Sequence, residues 1–210
     1  MYFGGIEAGG TKFVCAVADE NQQIVEKVSI PTTTPEETLA KVFQFFDAYP
    51  LKAMGIGAGV VLNGEIFQGI AHPEMGHIYV KRHPQDTYEG TCPYHKDCLE
   101  GLAAGPSLEA RTGIKGQELP EDHPVWDIQA FYIAQALMNY ALTLAPEKII
   151  LGGGVMNQEH LLQKIRQQFL QQMAGYMETP APEEYIVRWG LPNESGIIGS
   201  LLLAEAAEKE

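Results

Sequence analysis

Three clusters of glycine, each beside a short apolar run, most constrain what this chain can fold into. Gly9-Gly10 stands between two apolar runs, Gly55-Ile56-Gly57-Ala58-Gly59 joins two more, and Gly152-Gly153-Gly154 follows Ile149-Ile150-Leu151. Glycine lets backbone N–H groups crowd around an anion, because no Cβ stands in the way. A single short glycine motif is equally typical of an ordinary hairpin turn. Three such turns at strand ends favour an α/β fold that binds a nucleotide.

The first cluster carries two further groups suited to phosphate. Gly9 and Gly10 are followed by Thr11 and Lys12, which add a hydroxyl and a cation to the loop. The spacing does not match GxxxxGK[ST], so the loop is not of the Walker A type. These four residues are predicted to contact the phosphates of a nucleotide.

Hydrophobic periodicity predicts strands and helices in alternation, as in α/β proteins. Predicted strands cover residues 3–6, 12–18, 24–30, 53–56, 148–151 and 185–187. A turn is predicted for the stretch from Gly4-Gly5 to Gly9-Gly10, and a hairpin is centred on Asn63-Gly64. Predicted helices cover residues 35–49, 99–112, 128–145, 158–176 and 195–207. The glycine clusters therefore fall between regular elements.

Charge and hydropathy exclude several classes of protein. The 210 residues are 45% hydrophobic, which is enough for a core, and the formal net charge is −13. That charge argues against a general affinity for nucleic acid or anionic lipid, because both are polyanions. No apolar run reaches the length of a membrane helix, and the first residues do not form a secretory signal. We expect a cytoplasmic protein with no nucleic-acid or membrane partner.

Cysteine and histidine spacing predicts a metal site. Cys92, His95 and Cys98 present sulfur, nitrogen and sulfur at steps of three residues. Thiolate and imidazole ligands at such spacing are typical of a structural Zn²⁺ site with four ligands. The fourth ligand is left open by spacing alone, since three histidines precede the motif: His72, His77 and His83. The alternative is that the two cysteines are buried thiols; Cys15, inside an apolar run, is interpreted as a core residue.

Several longer motifs resemble one family. GIEAGGTKFVCAV (residues 5–17) resembles the first phosphate motif of the ROK fructokinases, with Glu7 in place of the commoner Asp, and IILGGGVM (149–156) is similar to their adenosine-side motif. HPEMGHIYVKRHPQD (72–86), CPYHKDCLEGLAAGP (92–106) and SGIIGSLLLA (195–204) match the same subgroup. The similarity runs through nearly the whole chain. It implies an actin-like ATPase (ribonuclease H-like) fold with a zinc-binding loop.

The resemblance also implies an activity and its residues. The resemblance implies that ATP and Mg²⁺ are used to phosphorylate a hexose, with fructose converted to fructose 6-phosphate. It also implies a homodimer, here through residues 99–112. The matching sugar-binding residues are Glu74 and His77, and His77 is favoured over His72 and His83 as the fourth zinc ligand. The residues matching the ATP/ADP site are Gly9, Gly10, Thr11, Lys12, Gly57, Gly59, Gly152, Gly153 and Gly154.

One part of the family pattern is missing. Relatives carry a Gly-Pro-x-Asp stretch that binds sugar and an Asp-x-Asn-Ala-Ala stretch whose Asp acts as general base, and neither string occurs here. The gap falls between Gly57 and Ala58 and is on the order of 80–90 residues, the size of a small domain. Residues 1–57 are therefore expected to be a truncated N-terminal lobe, and residues 58–210 the C-terminal lobe. The alternative function is a catalytically inactive remnant that binds nucleotide and zinc.

Overall fold

The computed structural model describes residues 2–8, 12–19, 21, 23–48, 51–56, 60–62, 65–67, 70, 73–190 and 197–201. The chain divides into two compact units, Met1–Pro73 with Gly190–Glu210, and Glu74–Trp189. The predicted lobe boundary between residues 57 and 58 rests on similarity rather than on contacts, so it stays a prediction. Predicted site residues outside the described part of the chain are Gly9, Gly10, Thr11, Gly57, Gly59 and His72.

The first unit contains a four-stranded sheet in the order β3-β2-β1-β4. Its strands are β1 (Tyr2–Ala8), β2 (Lys12–Asp19), β3 (Ile24–Pro31) and β4 (Leu51–Ile56). Strands β1, β2 and β3 form an antiparallel meander, whereas β4 pairs in parallel with β1. A parallel return needs a crossover, and the helix α1 (Pro35–Phe46) supplies it.

Helix α1 begins as its sequence predicts and ends earlier. The Thr34 hydroxyl caps it by accepting from the backbone N–H of Glu37 at 3.3 Å, with Pro35 in the first turn. The helix stops at Phe46, three residues before its predicted end. Its Val42 and Phe46 pack on the sheet in one core cluster, which also contains Ile6, Cys15, Val17 and Ile30. Cys15 is fully buried, which agrees with its interpretation as a core residue.

The glycine pair Gly4-Gly5 lies inside β1 rather than in the predicted turn. A Cβ on Gly5 would lie 2.7 Å from Ser200 Oγ, 3.0 Å from Leu201 Cγ and 3.1 Å from Ile197 Cδ1. Residues 197–201 are helical, as predicted for this region. Gly5 therefore provides the space in which this helix packs against β1, and the glycine serves packing instead of a turn.

The remaining elements are short strands and the helices of the second unit. The strands are β5 (Val61–Leu62), antiparallel to β6 (Glu65–Ile66), and β7 (Ile149–Leu151), parallel to β8 (Ile186–Arg188). The helices are α2 (Leu99–Ala103), α3 (Gly105–Thr112), α4 (Val125–Leu144), α5 (Glu159–Met173) and α6 (Pro182–Tyr185). Two 3₁₀ turns cover Met75–His77 and Gly154–Asn157.

The prediction of one helix over residues 99–112 is wrong, because the helix breaks at Ala104. That residue has φ −69° and ψ 161°, which is extended backbone, and a new helix begins at Gly105. Pro106 causes the break: it has no N–H to donate to Leu102, and its ring would meet that carbonyl in a continuous helix. The first turn of a new helix tolerates Pro106 instead.

The core of the second unit lies between α4, α5 and the β7-β8 pair. Trp126 on α4 and Leu161, Ile165 and Phe169 on α5 are at most 1% exposed, and Ile186 of β8 is fully buried in the same cluster. The prediction of a buried apolar helix near residues 128–145 is therefore correct. Among the described helices, none is long and apolar enough to cross a lipid bilayer.

We expect Gly5→Ala to lower the free energy of unfolding by about 1–3 kcal/mol, because the new methyl group overlaps Ser200 and Leu201. Gly199→Ala is the matched control, since a Cβ at Gly199 meets nothing within 4 Å and alanine favours the helix. Urea unfolding of the two variants measures the difference. Equal midpoints for Gly5→Ala and the wild-type chain would contradict the proposed packing.

Candidate functional site

Four side chains of the second unit converge on one point. His77, Cys92, His95 and Cys98 each direct a ligand atom to it, and all four atoms lie within 4.8 Å of one another. His77 Nδ1 is 3.7 Å from Cys92 Sγ and 3.6 Å from Cys98 Sγ, and His95 Nδ1 is 3.8 Å from Cys92 Sγ. The cysteines are buried, His77 is half-buried and His95 is exposed.

The donors and their spacing fit a zinc ion. With Zn–S near 2.3 Å and Zn–N near 2.05 Å, sulfur and nitrogen at two corners of a tetrahedron lie about 3.6 Å apart. The backbone N–H of His95 points at Cys92 Sγ at 3.5 Å and lowers the pKa of this thiol to about 6, which favours the thiolate that binds metal. Burial raises the pKa of the Cys98 thiol. Four protein ligands leave no open position, so the ion would be structural.

The loop that carries three ligands is closed by a tight turn packed on α2. Cys92 and Lys96 exchange backbone hydrogen bonds across the turn, at 2.9 and 3.3 Å, and Lys96 has a left-handed φ of 56°. A Cβ on Gly101 would lie 1.8 Å from the carbonyl oxygen of Lys96, and one on Gly90 would lie 2.0 Å from it. The turn therefore fits only because two glycines flank this carbonyl.

His77 joins the metal cluster to a carboxylate. The residue ends the 3₁₀ turn Met75–His77, and its backbone N–H donates to the carbonyl of Glu74 at 3.0 Å. While Nδ1 faces the thiols, Nε2 lies 3.1 Å from a carboxylate oxygen of Glu100. Such a contact fixes the orientation and tautomer of a metal-binding imidazole. Sequence reasoning missed Glu100, although its place two residues after Cys98 was a usable signal.

Two of the three histidines considered as the fourth metal ligand are described by the structure, and they lie in different surroundings. His83 lies outside the four-residue cluster: its Nδ1 accepts from the backbone N–H of Gln85 at 3.2 Å, and its ring contacts Phe131 edge-on at 4.9 Å. Position 72 is outside the described residues. Of the two histidines that can be compared, His77 is the one that faces the thiols.

A buried ion pair anchors the part of the chain between His77 and Cys92 without involving the four clustered side chains. Asp86 accepts from Arg111 Nη2 at 2.8 Å and Nε at 3.1 Å, and both side chains are at most 6% exposed. The hydroxyl of Tyr132 donates to Asp86 at 2.6 Å, and the ring of Tyr88 lies 4.7 Å from the Arg111 guanidinium carbon. Burial alone would raise the pKa of Asp86, but hydrogen bonds from Arg111 and Tyr132 outweigh it, so the pKa is lowered.

Polar side chains of α4 hold the backbone on either side of this pair. Gln135 donates to the Lys81 carbonyl at 2.8 Å and accepts from the Lys81 N–H at 3.0 Å. Tyr140 donates to the carbonyl of Met75, and Gln129 donates to the carbonyl of Ala103. The sequence of α4 is largely apolar, and its few polar side chains position the backbone at both ends of the metal-binding segment.

The predicted nucleotide-binding glycines follow β7. Gly152, Gly153 and Gly154 are exposed. Gly153 has φ 88° and ψ 168°, a conformation essentially restricted to glycine. Lys12, from the other predicted phosphate loop, is the exposed first residue of β2. Lys12 belongs to the first unit and the three glycines belong to the second.

Comparison with known proteins shows the family. A sequence profile of the ROK family matches residues 3–54 and 51–207. This chain belongs to the ROK family. A fructokinase of Pediococcus pentosaceus is 39% identical to this ROK chain, with 100% of the chain and 99% of the relative covered, and a fructokinase of Streptococcus mutans is 39% identical with 97% of each covered. A Streptomyces griseus ROK family glucokinase, solved with glucose and AMPPNP, shares the fold at a TM-score of 0.71 and 16% identity, covering 98% of this chain and 100% of its own.

The alignment with the Pediococcus relative is also longer than this chain. The alignment with the Pediococcus relative is 286 positions long and covers all 210 residues of this ROK chain, so about 76 positions of the alignment face no residue here. The two profile matches meet within residues 51–54, in β4. The expected gap on the order of 80–90 residues stays a prediction, and its expected position between Gly57 and Ala58 lies a few residues after the point where the two matches meet.

We expect Gly101→Ala to reduce zinc content below one ion per chain and to lower the free energy of unfolding by about 1–3 kcal/mol or more. The new Cβ would overlap the Lys96 carbonyl and push the turn that carries Cys92. Gly105→Ala is the control, since its nearest contact would be an ordinary 3.8 Å. Metal analysis and thermal unfolding of both variants test this, and normal zinc in Gly101→Ala would contradict it.

We expect Asp86→Asn to destabilise the protein by about 3–5 kcal/mol near neutral pH, because it leaves the Arg111 charge buried without its partner. The pKa of Asp86 is lower folded than unfolded, so the carboxylate stabilises the fold above the unfolded value of about 4 and loses this effect as pH falls through the folded value. The gap between wild-type and variant stability should therefore shrink below about pH 4.

Asp127→Asn is the control, since Asp127 forms an exposed pair with Lys164 at 2.5 Å. Such a pair contributes about 0.2–1 kcal/mol. Urea unfolding across pH measures both variants. A gap for Asp86→Asn that is constant or widens on acidification would contradict this assignment.

Proposed function

We propose that this protein catalyses ATP-dependent phosphorylation of a hexose, with fructose converted to fructose 6-phosphate. The observation that carries this proposal is 39% identity to relatives named fructokinase over essentially their whole length. The converging His77, Cys92, His95 and Cys98 support it, because a rigid, metal-braced imidazole suits recognition of a small polar substrate.

The sugar is proposed to bind at the 3₁₀ turn. Glu74 precedes this turn and His77 ends it, and the backbone N–H of His77 donates to the Glu74 carbonyl at 3.0 Å, so the two residues are close in the backbone. Glu100, at the Nε2 edge of His77, adds an exposed carboxylate where hydroxyl groups would approach. Carboxylates that accept hydrogen bonds from hydroxyls select strongly against ligands that lack them. Zinc would hold this wall of the pocket and take no part in phosphoryl transfer.

The nucleotide is proposed to bind to the glycine turns. Gly152–Gly154 offer exposed backbone at the end of β7 for the adenosine side. Gly9, Gly10, Thr11, Lys12, Gly57 and Gly59 remain the proposed phosphate contacts. Phosphoryl transfer depends mainly on positioning and on charge neutralisation, which Mg²⁺ supplies when bound with ATP.

A second candidate function is supported by the alignment gap. About 76 positions of the Pediococcus alignment face no residue of this chain. The missing part is where the resemblance places the general-base aspartate, and loss of general base catalysis costs typically 10²–10⁴-fold in rate. The alternative is therefore a protein that binds nucleotide and zinc without turnover.

Assembly and location complete the proposal. We infer a homodimer formed through α2 and α3 and a cytoplasmic location. The exposed residues of α3 are Gly105, Pro106, Glu109 and Ala110, so its outer surface carries a single charge, which suits a contact between two copies. Sedimentation of the zinc-loaded protein tests the dimer.

A coupled assay with ATP, Mg²⁺ and fructose should show ADP release, and glucose and mannose should react more slowly. Glu74→Gln should raise the KM for fructose, and Glu121→Gln, an exposed change outside α2 and α3, should leave it unchanged. Calorimetry with ADP–Mg²⁺ separates the two candidates. Binding of ADP–Mg²⁺ without ADP release in the coupled assay favours the inactive remnant. Absence of both binding and ADP release would overturn both candidate functions.

A further inference from the structure

We propose that the indole ring of Trp189 lines the base-binding end of the nucleotide site, beside the Gly152–Gly154 turn. The ligand is the purine of ATP or ADP. This inference rests on the proposed function, since it assigns a further residue to the same nucleotide site.

Strand pairing brings Trp189 and the glycine turn together. Strands β7 and β8 are parallel, so their carboxyl ends meet at one edge, where Gly152 follows Leu151 and Trp189 follows Arg188. The backbone N–H of Trp189 donates to the Leu151 carbonyl at 3.2 Å and extends the ladder past the last paired residues. Ligands of α/β proteins bind at the carboxyl ends of parallel strands.

The ring lies against a turn that has room for a ligand. A Cβ built on Gly152 would lie 3.9 Å from Trp189 Cε3, which is ordinary van der Waals contact. A Cβ on Gly153 or Gly154 would meet nothing within 4 Å. An aromatic ring therefore borders an open stretch of backbone, a combination suited to a flat heteroaromatic base joined to a polar sugar phosphate.

Two polar groups matter for the Trp189 ring: its own indole N–H and the guanidinium group of Arg188. Its indole Nε1 is buried and has no hydrogen-bond acceptor among the described residues. The Arg188 guanidinium carbon lies 5.0 Å from the ring centroid, and Arg188 also pairs with Glu159 at 2.9 Å. Packing against the core and this cation hold the ring in place beside the turn.

The second tryptophan provides an internal reference. The chain has two tryptophans, and Trp126 is fully buried with its Nε1 donating to the Pro120 carbonyl at 2.8 Å. A ligand at the glycine turn should leave the emission of Trp126 unchanged. Any change in tryptophan emission on nucleotide binding therefore reports on Trp189.

The test is a titration of the zinc-loaded, full-length protein with ADP–Mg²⁺, followed by tryptophan emission and by calorimetry. ADP should change the emission of the wild-type protein and leave that of Trp189→Phe unchanged. Trp189→Ala should weaken ADP binding about tenfold, as expected for loss of base stacking, and Trp189→Phe should recover most of it. Inorganic tripolyphosphate, which has no base, should bind wild-type and Trp189→Ala equally.

The outcomes separate this inference from the proposed function. Equal ADP affinity in the wild-type protein and Trp189→Ala would overturn the role of Trp189 and leave the kinase proposal standing. Absence of ADP binding to the wild-type protein would overturn both. Equal loss of ADP and tripolyphosphate affinity in Trp189→Ala would show general damage to the turn and would overturn the base contact. Recovery in Trp189→Phe excludes misfolding as the cause of a loss in Trp189→Ala.

Discussion

Four side chains that converge on one point hold the two ends of an irregular segment of the second unit close together. Residues 78–98 contain almost no regular secondary structure, so backbone pairing alone does little to hold them. His77 enters from a 3₁₀ turn before the segment, and Cys98 leaves it as the residue preceding α2. Because the four side chains come from the two ends of the segment, an ion bound between them would hold those ends together. Helix α2 then starts from a defined point, and Glu100 on it meets the far edge of His77.

The same segment has a second anchor that needs no metal. Asp86, Arg111 and Tyr132 form a buried network midway along it, and Gln135 pairs with its backbone on the preceding side. Breaking such a buried pair is expensive, but a buried pair is not by itself proof of net stability. The network instead fixes where the segment lies against α3 and α4, because each of its hydrogen bonds joins one particular pair of groups. Loss of the ion would therefore loosen the turn near Cys92 more than the part near Asp86.

Local sequence signals predicted the local features and missed the long-range ones. Cys92, His95 and Cys98 lie within seven positions, so their spacing alone predicted a shared ion, whereas selecting His77 required the family resemblance. The Asp86–Arg111 pair and the role of Glu100 depend on chain segments brought together by folding, which no periodicity encodes. Gly5 was assigned to a turn because glycine signals turns and close packing alike. The break before Pro106 was within reach of sequence reasoning, but the run of small residues around it is also typical of a helix.

The point where the two family matches meet lies inside the sheet of the first unit. The two matches to the family profile overlap in residues 51–54, so this short stretch is matched twice. In the structure this stretch lies in β4, whose backbone pairs in parallel with β1 from Leu51 to Ile56. Strand β1 is therefore paired on both edges, by β2 and by β4, and its backbone groups are satisfied. Backbone pairing of this kind does not depend on which side chains β4 carries. The pairing of β1 on both edges is therefore complete, whichever part of the family profile β4 matches.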